Sequence, residues 1–164
     1  MKFIADSMLG KLARWLRMLG QDVVYNVELN DNKLLEFSKK QNFVLLTKDL
    51  ELYQRAIGRG IDAFYVEGKT EPEQLAELAK RYSFTLEIDM EKSNCPVCNA
   101  KLKATPKEQL SGELQKSTLT FYDNYWKCPN CGQIYWQGAH WKQISKTLSE
   151  AQAKLQKLRE NNKA

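Results

Sequence analysis

Four cysteines stand in two pairs, Cys95 with Cys98 and Cys128 with Cys131, and each pair has the form C-P-x-C. Two thiolates three positions apart in a tight turn can point at one ion, and two such turns supply the tetrahedral four-sulfur shell that zinc prefers. Asn99 and Gly132 follow the second cysteine of each pair. Both residue types tolerate the left-handed backbone that such turns often need. The 29 residues between the pairs exceed the commonest spacing for such sites. A longer loop is tolerated because closure entropy grows slowly with length. A redox C-x-x-C or two disulfides are the competing chemistries. Two matched turns in a cytosolic chain point instead to one Zn²⁺ with no open coordination position, hence a structural ion.

A second set is acidic. Asp6 follows the apolar run "KFIA", Asp49 follows "FVLLTK" with Glu51 just beyond, and Asp31 opens a helical pattern ahead of the second run. If the two runs are parallel neighbours, Asp6 and Asp49 emerge at the carboxyl ends of their strands, where open α/β sheets place their sites. Asp31 can approach the same edge. Three converging carboxylates repel one another without a cation, and Mg²⁺ or Mn²⁺ is the natural partner for oxygen ligands. Such ions activate water and orient a phosphodiester. Helix capping is the alternative role for each of these acids.

Lys11, Arg14 and Arg17 recur every three residues with no acid among them. They can form a ridge that holds phosphates, or an ordinary solvated helix face. In "YWQGAHW", Tyr135, Trp136 and Trp141 could stack on exposed bases and His140 could contact a phosphate or a base. The alternative is that a small module uses its aromatics as its core, the reading favoured for Trp136.

The elements that position these residues alternate along the first 90 positions. Strands are expected at 2–5, 22–26, 43–46 and 63–66. Helices are expected over "MLGKLARWLRMLG", with Gly20 as its C-terminal cap, over 30–41 capped by Asn30 or Asp31, over "LELYQRAIG", and over "TEPEQLAELAKRY". Thr70 and Glu73 fit a capping box there, with Pro72 in the first turn. Strand and helix in alternation mean a parallel sheet with crossover helices, a small α/β domain. After residue 90, β-branched and aromatic runs around the cysteines suggest short hairpins. From Trp141 onward, Leu148, Ala151, Leu155 and Leu158 share one face of an amphipathic basic helix.

The bulk numbers agree with a soluble globular chain, at 43% hydrophobic and 27% charged residues. No apolar run approaches the roughly 20 residues of a membrane span, and the N-terminus does not look like a signal peptide. A cytoplasmic protein is expected. The net charge of +5 is uneven: residues 1–90 carry 13 bases against 14 acids, whereas residues 142–164 carry 6 against 2. That suits a polyanionic partner or a solvated helix.

"FIADSMLGKLARWLRMLGQDVVYN", "NDNKLLEFSKKQNFVLLTKDLEL", "CPVCNAKL" and "YDNYWKCPNCGQIYWQGAHW" together resemble the mutator-seven C-terminal RNase domain family, a PIN-like nuclease domain fused to a zinc ribbon. The resemblance runs in order over roughly residues 2–142. It implies a PIN-like α/β fold, a divalent metal held by acids, and RNA cleavage. The acids it carries over are Asp6, Asp31 and Asp49. PIN domains often add a fourth, for which Glu51 is the nearest candidate and Asp62 a weaker one.

The expected organisation is therefore a PIN-like α/β domain over 1–90, a zinc ribbon over 91–141, and a basic tail helix over 142–164 that binds RNA or a protein partner, or packs on the ribbon. The expected function is a metal-dependent ribonuclease with Asp6, Asp31, Asp49 and Glu51 as catalytic acids. Lys11, Arg14, Arg17 and His140 are the expected RNA contacts. A non-catalytic RNA-binding or ribosome-associated adaptor is the alternative. The oligomeric state is not legible.

Overall fold

Residues 1–163 are described by a computed structural model. Its larger sheet holds β1 (Lys2–Ala5), β2 (Asp22–Tyr25), β3 (Val44–Thr47) and β4 (Ala63–Tyr65). The strands lie in the order β2-β1-β3-β4 and all neighbours are parallel. Parallel strands cannot be joined by a tight turn, so a helix crosses between each consecutive pair. These are α1 (Gly10–Met18), α2 (Asp31–Gln41) and α3 (Leu50–Gly58), and α4 (Glu71–Tyr82) follows β4.

Side chains alternate across each strand, so the sheet is buried on both faces. Phe3 and Ala5 of β1, with Val44 and Leu46 of β3, meet Leu12 and Leu16 of α1 and Leu75 and Leu78 of α4 on one face. Ile4 and Leu45 point the other way, onto Leu34 and Leu35 of α2 and Leu52 and Ala56 of α3. The chain goes from β1 to β2 with α1 on one face, then returns past β1 to β3 and β4 with α2 and α3 on the opposite face. The direction reverses between β1 and β3. That crevice is where doubly wound sheets bind their ligands.

The helix ends follow local chemistry. Asn30 caps α2 by accepting from the Lys33 N–H at 2.9 Å, which leaves Asp31 as the first helical residue. The Thr70–Glu73 capping box on α4 is complete. Gly20 takes φ +84° just past α1, a conformation that costs other residues. β3 begins one residue later than expected and includes Thr47, which pairs with Tyr65.

The cysteine region forms a small antiparallel sheet of β5 (Lys103–Thr105), β6 (Tyr125–Lys127) and β7 (Ile134–Tyr135). One expectation fails here: Lys116–Phe121, inside a β-branched and aromatic run, is a short helix, α5, rather than a hairpin strand. Strand propensity expresses packing on a sheet face, and no residue of α5 is buried. The helix satisfies its own backbone, and the buried Tyr125 hydroxyl lies 2.8 Å from the Thr118 carbonyl.

The last helix, α6 (Trp141–Asn161), packs along α4. Leu148, Ala151 and Leu155 are buried in the first core, with Leu158 partly buried beside them. The tail is thus a wall of the α/β core rather than a free extension, and its first residue, Trp141, also packs against the ribbon. α4 is buried all along one side, and α6 supplies the apolar stripe that covers it. Among the described residues no helix is long and apolar enough to cross a membrane.

Candidate active site and zinc site

The four sulfurs lie within 4.8 Å of one another. Cys95 and Cys131 are 3.7 Å apart, and Cys98 and Cys128 are 3.3 Å apart. A tetrahedral shell with Zn–S bonds of about 2.3 Å sets its sulfurs roughly 3.8 Å apart, so this cage fits zinc. The turns that build it are the expected ones: Asn99 has φ +73° and Gly132 has φ +80°. Hydrogen bonds from the Asn130 side chain and then the Ala100 N–H hold the Cys98 thiol down at about 6. The Gln133 N–H pulls the Cys131 thiol down as well, but burial and the three neighbouring sulfurs outweigh it and keep that thiol up at about 12. Four thiols this close ionise together only around a cation. Tyr135 places its hydroxyl 3.1 Å from the Cys95 sulfur. Burial first, and that contact second, push its phenol above its ordinary value.

The first knuckle is bolted to the larger sheet at its amino edge. Arg17 is buried rather than displayed on a ridge. Its guanidinium donates to the Val23 carbonyl at 2.8 and 3.0 Å, to Pro96 at 2.9 Å and to Val97 at 3.3 Å. Burial lowers its pKa, and the nearby Cys95 and Cys98 work against that. Asn99 accepts from the Val23 N–H at 3.1 Å and donates to Asp22 at 2.6 Å. The expected phosphate contact at Arg17 is therefore replaced by a structural one. Helical spacing alone does not say which side of α1 a base occupies, and Arg17 falls beside Leu12, Ala13 and Leu16 on the buried side. Lys11, Arg14 and His140 are exposed.

At the opposite, carboxyl edge, Asp6 ends β1 beside the crevice. Its carboxylate is nearly buried. It accepts from the Met8 N–H at 2.9 Å, from the Lys48 N–H at 3.2 Å and from the Thr47 hydroxyl. The same hydroxyl oxygen accepts from the Asp49 N–H at 2.9 Å. Thr47 thus ties Asp6 to Asp49, a link that sequence spacing did not indicate. Asp49 also caps α3, accepting from Leu52 at 3.2 Å, so it performs the capping role as well as standing at the crevice.

Asp31 stands at the same edge on the α2 start, but its carboxylate is 3.8 Å from the Arg55 guanidinium, which also bonds Asn32. Glu51 is exposed in the first turn of α3, and Asp62 is exposed just before β4. Among the described residues the cysteine cage is the one group of three or more metal-binding side chains within 4.8 Å. The carboxylates of Asp6, Asp31 and Asp49 do not form such a group, although all three residues stand at the carboxyl ends of the strands. Their all-oxygen donor set suits Mg²⁺ or Mn²⁺; their present spacing is looser than a closed site.

Beside Asp6 a cleft of about 630 Å³ opens between the starts of α1 and α4, its charged lining being Lys11, Lys48 and Lys69 with one acid, Glu71, which accepts from the Trp15 indole N–H at 2.8 Å. Lys48 Nζ donates to the Gly68 carbonyl at 3.0 Å, which pins it at the cleft wall. A family model described as Mut7-C RNAse domain matches residues 1–148. The chain belongs to that family. The Mut7-C match takes in the sheet, the cysteine cage and the first third of α6, and it associates the chain with RNA and nuclease function. No curated protein and no solved structure matches the chain.

Proposed function

We propose that this Mut7-C chain is a ribonuclease that hydrolyses RNA phosphodiesters with the help of Mg²⁺ or Mn²⁺ at the carboxyl edge. The observation that carries the reading is the pair Asp6 and Asp49, joined through Thr47 at the crevice between β1 and β3. Asp6 and Asp49 would hold the ion, with Asp31 as the third ligand and Glu51 as the candidate fourth acid. When bound, such an ion supplies water activated for attack and neutralises charge that builds on the phosphate.

The chain's own residues do the rest. The Thr47 hydroxyl and the Met8 and Lys48 N–H groups hold the Asp6 carboxylate in place by donating to it. Lys11, Lys48 and Lys69 line a cleft where phosphates next to the scissile one gain charge-assisted contacts. The zinc cage holds the ribbon in shape, and the ribbon supplies further RNA contacts at the other end of α1.

The test is cleavage of single-stranded and structured RNAs by the full chain with added Mn²⁺ or Mg²⁺. Asp6→Asn with Asp49→Asn should abolish turnover while RNA binding persists. Cleavage by the double variant at the wild-type rate would sink the proposal. A second reading, a non-catalytic RNA-binding adaptor, is favoured by one observation: Asp31 is engaged by Arg55 instead of joining the other two acids. It expects no turnover from the wild type under any of these conditions.

A further inference from the structure

The acids and the zinc ribbon sit at opposite edges of the sheet, and α1 spans the distance between them. Nine helical residues at 1.5 Å each cover roughly 14 Å. Successive turns of α1 along that line border two cavities. Lys11 borders the basic cleft at the carboxyl edge, and Arg14, one turn on, borders a second cavity of about 390 Å³ against the ribbon. α6 flanks both in the same way, with Thr147 at the first and Ile144 at the second.

The second cavity has a distinctive lining. Tyr135, Trp136, His140 and Trp141 all face it, Arg14 stands at its rim, and none of its lining residues is acidic. The aromatics are held rather than loose. Tyr135 is anchored by its hydroxyl at the Cys95 sulfur, and Trp136 lies 6.2 Å, ring to ring, from the buried Tyr125. Gly138 packs against Trp136 so closely that a Cβ there would come within 2.9 Å of the indole nitrogen. Gln133, exposed at the same cavity, brings an amide able to pair with a base edge. A held aromatic pocket with Arg14 at its edge and no carboxylate in its lining suits a π-face carried on a polyanion.

We propose that this pocket holds one nucleobase of a single-stranded RNA whose backbone runs along α1, past Arg14 and Lys11, to the carboxyl edge. The proposal rests on the ribonuclease reading for its strand polarity toward the acids, but the pocket itself is tested by binding alone. The length of α1 makes the pocket a ruler: about four stacked nucleotides at roughly 3.4 Å each separate the held base from the edge where Asp6 stands. Oligomers too short to span it should lose the pocket's contribution.

The experiment uses the full zinc-loaded chain without added Mg²⁺ or Mn²⁺, and oligoadenylates of two to eight nucleotides read by anisotropy and by tryptophan emission. An eight-nucleotide abasic oligomer of equal charge is the control. The expected result is binding of the longer oligoadenylates at least about fivefold tighter than the abasic chain, with quenching of tryptophan emission by the former alone. Affinity should climb between two and about five nucleotides and then level off. Arg14→Ala with His140→Ala, both exposed positions, should weaken binding, and Trp141→Phe should retain most of it. Equal affinity for the abasic chain, or absence of quenching, would overturn the proposal. So would quenching by an amphipathic helical peptide in place of the RNA, which would assign the pocket to a protein partner. The cleavage test on Asp6 and Asp49 is separate, so failure of one reading is distinguishable from failure of the other.

Discussion

Replacing Arg17 by Met keeps most of the apolar stem and removes the guanidinium that joins the ribbon to the sheet. Four hydrogen bonds to three carbonyls are lost. Two of them share the Val23 acceptor and the one to Val97 is long, so the loss is equivalent to roughly two full charge-assisted bonds, about 3–6 kcal/mol. Relief of the buried cation's desolvation, the leading cause of its lowered pKa, returns part of that. A net destabilisation of about 3 kcal/mol remains, or about 6–12 °C in Tm for a chain of this size. Removing a cation beside Cys95 and Cys98 should also speed zinc release. Thermal unfolding followed by circular dichroism, with zinc release read by a chromogenic chelator, measures both. A Tm within about 2 °C of wild type, with zinc release unchanged, would refute the structural role. A fall in RNA affinity at unchanged stability would instead restore Arg17 to the phosphate ridge.

Chelating the zinc should loosen β2 as well as the ribbon, because the Val23 N–H and Arg17 both take partners from the first knuckle. Hydrogen exchange at Val23 should rise with chelator while Leu45, in the middle of the sheet, stays protected. Gly68→Ala should cost about 1–3 kcal/mol in a denaturant titration, since its Cβ would lie 2.7 Å from the Gln74 nitrogen and 2.9 Å from the Glu73 carbonyl carbon, both backbone atoms. Burial pushes the Glu77 carboxyl above its ordinary value of 4.5, against hydrogen bonds from the backbone at Gly68 and Glu67. The native state then holds that proton more tightly than the unfolded chain, so stability is lost as pH rises through the raised value. Glu77→Gln should remove that loss: urea midpoints compared at about pH 5 and about pH 8 should fall less on alkalinisation than in wild type.

The Asp6–Thr47–Asp49 link shows where sequence reasoning stops. Both acids could be placed at strand ends from periodicity, because an apolar run followed by a polar residue marks where a buried strand leaves the core. The role of Thr47 is not legible from its position, since it depends on β1 and β3 being hydrogen-bonded neighbours. Asp31 shows the converse: it lies at the expected edge, but Arg55, distant in sequence, engages its carboxylate. α5 departs from the expected hairpin because strand propensity presupposes a sheet face that this segment does not have.

Residue order leaves the α2 cap open between Asn30 and Asp31, but it carries the cysteine cage, the alternation of strand and helix, and the capping box at Thr70. Each depends on residues a few positions apart, within reach of one turn or one strand. The tertiary structure alone decided that Arg17 is a bolt and not an RNA contact, that α6 is a core wall, and that the ribbon stands a helix length from the acids. Those outcomes depend on which faces meet across the sheet. A helical repeat says that a face exists, but the partner that covers it is chosen only when the whole chain has packed.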